Sequence, residues 1–175
     1  MQYRISTPIG PVSITRNEAG ALTSLRFVDS AARQLPELPA EDEVRRQLDA
    51  YFSGELRTFT LELAPPGTPF QQRVWAALCQ IPWGQTWTYG QLAACLDQPS
   101  ASRAVGGANG RNPIAIIIPC HRVVATNGLG GYTGGLHIKR ALLAREGVEV
   151  DGALFRDAPA IYSAASAASS PAPAR

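Results

Sequence analysis

The sequence predicts an α+β protein: a small N-terminal antiparallel sheet with a helix, then a mostly helical C-terminal half carrying a helix-turn-helix. Three observations lead there. Short strand-like segments alternate with Gly/Pro/Asn turns up to Val28. From Thr68 onward, apolar residues recur at helical spacing behind capping residues. Pro65-Pro66-Gly67 separates the two patterns. With 175 residues, the chain suffices for one large domain or two small ones sharing a core. The linker gives an N-terminal α/β domain over 1–65 and a C-terminal domain over 66–156. Residues 157–175 are rich in Ala, Ser and Pro, cannot bury enough apolar surface to order themselves, and are expected to form a disordered tail.

In order, Gln2 to Thr7, Val12 to Arg16 and Leu22 to Val28 read as strands, broken by Gly10-Pro11 and by Asn17 to Gly20. Glu41 to Phe52 places Val44, Leu48, Tyr51 and Phe52 on one helical stripe, and Gly54 stops it. Phe59 to Leu63 alternates and suggests a further strand. Thr68-Pro69-Phe70-Gln71 is a capping box with Pro in the first turn. It opens a helix whose stripe is Phe70, Val74, Ala77, Leu78 and Ile81. Thr88-Tyr89-Gly90-Gln91 repeats the box ahead of Leu92, Ala93 and Leu96. Ser100 is placed to cap a following helix that runs to about Asn109, completing the helix-turn-helix. Leu136 to Arg145 is a last helix, stopped by Gly147.

The charge of +2 is unevenly distributed. From Gln98 to Arg145 there is no Asp or Glu, but Arg103, Arg111, Arg122, Lys139, Arg140 and Arg145 are present. Such a basic half fits a polyanion such as nucleic acid, or a solvated face with no partner. Cys79, Cys95 and Cys120 form no paired spacing, which argues against a disulfide framework and against zinc. Cys79 and Cys95 fall on predicted apolar faces and are expected in the core. No apolar signal stretch or membrane-length run is present, so a cytoplasmic protein is expected.

The most reactive-looking stretch is Ile114 to Val124. An aliphatic run, read as a stiff strand end, stops at Pro119 and presents Cys120, His121 and Arg122. A thiol between a base and a cation is a candidate nucleophile, because the thiolate is the reactive species and a neighbouring His or Arg favours it. The plainer reading is a small buried hydrophobe. Gly106 and Gly107 within a predicted helix each cost roughly 1 kcal/mol against Ala. Close approach of a partner or tight internal packing would offset that. Asn127 to Gly135 holds five glycines around Tyr132 and Thr133, a loop able to fold closely over something flat. An enzyme working on a base in DNA must take it out of the stack. Arg103 can fill the gap, and Tyr89, Tyr132 and Thr133 can line the pocket.

Pro119-Cys120-His121-Arg122-Val123 resembles the active-site motif of the O6-alkylguanine-DNA alkyltransferases, or methylated-DNA–protein-cysteine methyltransferases. Phe-Gln-Gln-Arg-Val-Trp, Thr-Tyr-Gly-Gln-Leu-Ala, Arg-Ala-Val-Gly-Gly-Ala-Asn-Gly-Arg-Asn-Pro and Gly-Tyr-Thr-Gly-Gly-Leu extend the likeness over roughly Phe70 to Gly147. The N-terminal half is similar only in Ser-Thr-Pro-Ile-Gly and Tyr-Phe-Ser-Gly-Glu-Leu.

The resemblance implies a ribonuclease H-like N-terminal domain and a single-use repair activity on double-stranded DNA containing O6-alkylguanine, and O4-alkylthymine as well. Cys120 would accept the alkyl group. His121 would serve as base through a water, and Glu146 would orient it. Asn112 would be the hinge between recognition helix and active site, and Tyr89 would donate to the departing guanine. Thr133 would stand near O6, with Tyr132 and Gly134 beside it in the substrate pocket. Arg103 would replace the flipped nucleotide. Thr88, Ala104, Gly106, Gly107, Ala108 and Arg111 would meet the DNA from the minor groove. No metal or cofactor is implied: the cysteines of the family's N-terminal zinc site are missing here. A stand-alone monomer is expected. Three other readings are a lesion-binding protein without transfer, a helix-turn-helix regulator and a papain-like hydrolase. The first lacks the nucleophile, the second leaves Cys-His-Arg and the glycine loop unused, and the third keeps its His far from its Cys.

Overall fold

The computed structural model describes residues 2–29 and 34–150. The expected tail lies outside them. Strands β1 (Gln2–Ile5), β2 (Val12–Arg16) and β3 (Leu22–Phe27) form a three-stranded antiparallel sheet in that order. Ile5, Val12, Ile14 and Leu25 project into the core by period-two alternation, and an irregularity in the β2–β3 register at Thr15/Arg16 brings Leu22 to the same side. Helix α1 (Glu43–Ser53) is capped by Asp42, whose side chain accepts from the Val44 amide at 2.9 Å. It ends at Gly54, whose φ of 89° is the left-handed conformation a helix stop favours.

Phe59 to Leu63 is not a strand. Only Leu63 bridges, to Leu22. The Gln47 side chain instead satisfies Thr60, accepting from its amide at 2.9 Å and donating to its hydroxyl at 2.7 Å. A side-chain amide here does what a neighbouring strand would have done.

Both capping boxes form. In α2 (Pro69–Leu78), the Gln71 amide donates to Thr68 Oγ1 and the Thr68 amide to Gln71 Oε1. In α3 (Tyr89–Cys95), Thr88 and Gln91 do the same. Ser100 does not cap the next helix. A 3-10 turn over Pro99–Ala101 leads directly into α4 (Ser102–Gly110), whose start has no side-chain cap. Trp75, absent from the predicted stripe, is buried and donates from Nε1 to Ala108 O at 2.9 Å, joining α2 to α4. Cys79 and Cys95 are exposed, not core. Cys79 lies just past Leu78, the last inward residue of α2, and α3 is too short to bury more than Leu92 and Ala93.

Ile114 to Ile118 is a buried turn and not a strand end. Only Ile114 pairs, with Leu25, after which the chain turns through Ile116 at φ 68°. A β-branched residue there is strained and is held by its surroundings. Ile116 is fully buried and its neighbours are aliphatic. The turn adds residues 113–115 to the edge of β3, with the Leu25 amide on Pro113 O and the Ala115 amide on Leu25 O. A 3-10 turn over Cys120–Arg122 follows, then β5 (Val123–Val124), which pairs in parallel with β4 (Trp87–Thr88). Helix α5 (Leu136–Arg145) closes the described chain, with Gly147 at φ 80° beyond it. One continuous core takes in residues from both sides of Pro65-Pro66-Gly67. No helix among the described residues is long and apolar enough to cross a membrane.

Candidate active site

The turn from Asn112 to Arg122 builds the site around Cys120, which is 6% exposed. Asn112 holds it. Its Nδ2 donates to Ile118 O at 2.7 Å, reaches Ile114 O at 3.3 Å and lies 3.0 Å from Cys120 Sγ, while Oδ1 accepts from the Ile114 amide. Burial raises the thiol above the usual cysteine range; Asn112, Lys139 and Tyr132 pull it back.

This corrects the role expected of Arg122. Its guanidinium turns away from the thiol, donating from Nε to Glu146 Oε2 at 2.8 Å, from Nη2 to Oε1 at 2.9 Å, and from Nη1 to Ile81 O at 2.6 Å. The cation that favours the thiolate is Lys139, whose burial no sequence motif marks. It is fully buried on α5 and donates to the carbonyls of Val123 (2.6 Å), Leu129 and Gly131 (3.3 Å). Burial lowers it to about 8, against an upward pull from Cys120. The one clue was its position on the face of Leu142 and Leu143.

His121 is fully buried, and its Nε2 lies 2.8 Å from Glu146 Oε1. A carboxylate only accepts, so Nε2 carries the proton and Nδ1 is the free base. Burial lowers His121, with Glu146 acting upward. Burial would raise Glu146, but the hydrogen bonds and charges of His121 and Arg122 prevail and hold it at about 2. Tyr51 from α1 also donates to Oε1, at 2.8 Å. Its place on the apolar stripe of α1 does not reveal this role, because its partner lies 95 residues away.

Cys120 faces a cleft of about 360 Å³. Tyr89, Tyr132, Thr133 and Gly134 line it, together with Asn112 and Gly106. Leu25, Arg26 and Phe27 of β3 also line it, and nothing in the sequence had marked them. Tyr89 is raised by burial, then by Cys120, and a hydrogen bond from the Gly131 amide opposes this. Thr133 Oγ1 donates to Gly110 O at 2.8 Å, tying the glycine loop to α4. His121 Nδ1 and Asn109 Oδ1 are buried with no hydrogen-bond partner among the described residues. Tyr132 and Asn109 line the cleft. The Tyr132 hydroxyl is directed at the Cys120 sulfur, a weak acceptor, and Asn109 Oδ1 is left open in the same cleft, so the cleft can receive hydrogen-bonding groups.

The positions expected to meet DNA are divided. Arg103 and Ala104 are exposed on α4, outside the cleft, and Arg111 is exposed with Nη1 on Gly107 O. Gly106 and Gly107 are half-buried. Ala108 faces the core, since α4 turns it toward Trp75. Thr88 spends its hydroxyl on the cap of α3. Two of the basic residues, Arg122 and Lys139, are buried, so the exposed basic face is smaller than the sequence count suggests.

Two family models match the chain. Residues 69–148 match the 6-O-methylguanine DNA methyltransferase DNA-binding domain, and residues 3–65 its ribonuclease-like domain. The methylated-DNA–protein-cysteine methyltransferase of Methanosarcina barkeri is 52% identical over 81% of this chain and 94% of its own length. That of Mycobacterium leprae is 51% identical over 81% and 89%. A crystal structure of Mycobacterium tuberculosis OGT in complex with DNA superposes with a TM-score of 0.74 at 46% identity, over 83% of this chain and 92% of that one. With both halves matched in order, the chain belongs to the 6-O-methylguanine DNA methyltransferase family, the methylated-DNA–protein-cysteine methyltransferases.

Proposed function

We propose that the protein repairs DNA by moving an alkyl group from O6 of guanine to Cys120, once per molecule. The observation that carries this is the orientation of His121: Nε2 is held by Glu146 and Nδ1 is unpartnered beside a thiol that opens on a cleft. Cys120 Sγ attacks the alkyl carbon in line. The S–C bond forms as the C–O6 bond breaks, and the electron pair leaves with the guanine. The thiol proton passes through a water to His121 Nδ1, and Glu146 steadies the resulting imidazolium. Tyr89 donates to the purine as charge gathers there, which makes it a better leaving group. Burial keeps that hydroxyl protonated and able to donate.

A thioether is more stable than the alkyl ether of an aromatic ring, so the step runs downhill and nothing returns the cysteine. On DNA, α4 enters the minor groove, where Ala104 and Gly107 allow close approach and Arg103 fills the space of the flipped nucleotide. O4-alkylthymine fits the same chemistry. The protein acts as a monomer, and the division at Pro65-Pro66-Gly67 separates a supporting N-terminal unit from the reacting one.

Intact-mass measurement after mixing with an equal amount of duplex containing O6-methylguanine tests the proposal. One methyl on the peptide holding Cys120, absent in Cys120→Ala, is expected. Repeated turnover, or binding without a mass change, overturns it. The latter is what a lesion-binding protein would give.

A further inference from the structure

Glu146 Oε1 accepts from Tyr51 Oη at 2.8 Å, from His121 Nε2 at 2.8 Å and from Arg122 Nη2 at 2.9 Å. Tyr51 comes from the N-terminal half. Its ring is fully buried and fixed by Phe52 and Trp83, both edge-on at 5.2 Å, and by Phe59, stacked at 5.4 Å. The hydroxyl is therefore aimed by packing. A buried tyrosine needs some acceptor, and any carbonyl would do. This one instead shares the oxygen that holds the histidine. The carboxylate has no need of it for charge, since Arg122 already pairs with both oxygens. Donors that share one oxygen compete for its charge, and each weakens the hold of the others.

We propose that Tyr51 is a positioning residue for alkyl transfer: by sharing Glu146 Oε1 with His121 Nε2, its hydroxyl sets the basicity of His121 Nδ1. This rests on the reading of His121 as the base for Cys120. The groups that face the network are Tyr51 from α1, Cys79 at the end of α2, Cys120, His121 and Arg122 from the 3-10 turn, Tyr132 from the glycine loop, and Lys139 and Arg145 with α5. Lys139, held at about 8, titrates above the acid limb and Glu146, held at about 2, below it, so the limb belongs to His121.

The sign follows. Without the Tyr51 hydroxyl, more of the carboxylate's charge falls to His121 and favours its protonated form. The free base is then present only at higher pH, and the acid limb of the rate profile moves up. The plateau above it stays, because the ring and its base remain in place. Loss of a merely structural contact would lower the plateau and leave the limb where it was.

Two variants test this: Tyr51→Phe, and 3-fluorotyrosine at position 51, a stronger donor of almost the same shape. Single-turnover transfer from duplex O6-methylguanine is followed over roughly pH 5 to 9, alongside NMR titration of His121. Tyr51→Phe is expected to raise the limb and the His121 midpoint by ~0.5–1 pH unit, and 3-fluorotyrosine to lower both. The plateau is expected to stay within about twofold in each. Should Tyr51→Phe fail to fold, the fluorinated protein alone decides. An unmoved limb, or a lowered plateau without a shift, overturns the role of Tyr51. The control is His121→Gln: wild-type rate and limb there would overturn the base assignment itself, and the inference with it, whereas loss of transfer there beside unmoved Tyr51 variants overturns the Tyr51 link alone.

Discussion

Asn112 and Cys120 are joined by a 3.0 Å contact between amide nitrogen and sulfur, and the amide making it also pins the carbonyls of Ile114 and Ile118. One side chain fixes both the shape of the turn and the charge state its thiol favours. A donor on sulfur stabilises the thiolate against the burial that opposes it.

Removing that donor should be costly. Asn112→Ala is expected to slow transfer by about 10–100-fold, the worth of a hydrogen bond to a charged group. Iodoacetamide labelling of Cys120 should shift to higher pH in the same variant. Unchanged labelling would show that the amide acts on the turn alone.

Glu146→Gln leaves Arg122 buried without its counter-charge. Loss of one partner from a buried pair costs ~3–5 kcal/mol, measurable by urea unfolding. The wild-type carboxyl titrates below its ordinary value of 4.5, at about 2. Its contribution is therefore complete above 4.5 and is lost as pH falls from there toward 2. The Gln variant should lack that slope.

Lys139→Met strips the donor from the carbonyls of Val123, Leu129 and Gly131. Each unsatisfied buried acceptor costs about 1–3 kcal/mol, less where the loop can open to water. Hydrogen exchange should rise across residues 123–131, and the melting temperature should fall.

Gly106 presents the opposite case. A Cβ there would meet the Tyr89 ring at 3.5 Å, an ordinary contact. Internal packing does not demand glycine, so Gly106→Ala should stabilise α4 by up to ~1 kcal/mol. The added methyl points at the cleft. Transfer from a bulky O6-benzyl adduct should drop by about tenfold or more, and from O6-methyl by less.

Arg103 stands outside the cleft and is exposed. Arg103→Ala should slow transfer from duplex DNA, by a margin that narrows as salt rises, and leave reaction with free O6-benzylguanine unchanged. Equal slowing on both would place its effect inside the pocket.

The local features were legible in the sequence because their causes are local. Thr68 with Gln71, Thr88 with Gln91, and Gly54 each act within a turn of chain. The Cys120, His121, Glu146 and Asn112 cluster was named through family likeness, and its geometry could not have been read from spacing. The apolar run before Cys120 misled, since a buried turn and a buried strand share a composition. Cys79 and Cys95 misled because periodicity gives a face but not whether anything covers it. Arg122, Lys139 and Tyr51 were misread for a common reason. Their partners lie on distant segments, and a buried charge is intelligible only once its partner is known.

The carboxylate of Glu146 gathers Tyr51 from α1, 95 residues away, with the adjacent His121 and Arg122 of the 3-10 turn, 25 and 24 residues away. During synthesis Cys120 leaves the ribosome before Glu146 does. His121 is thus unaligned until α5 has docked, so Cys120, His121 and Glu146 become one unit only when the described fold is complete.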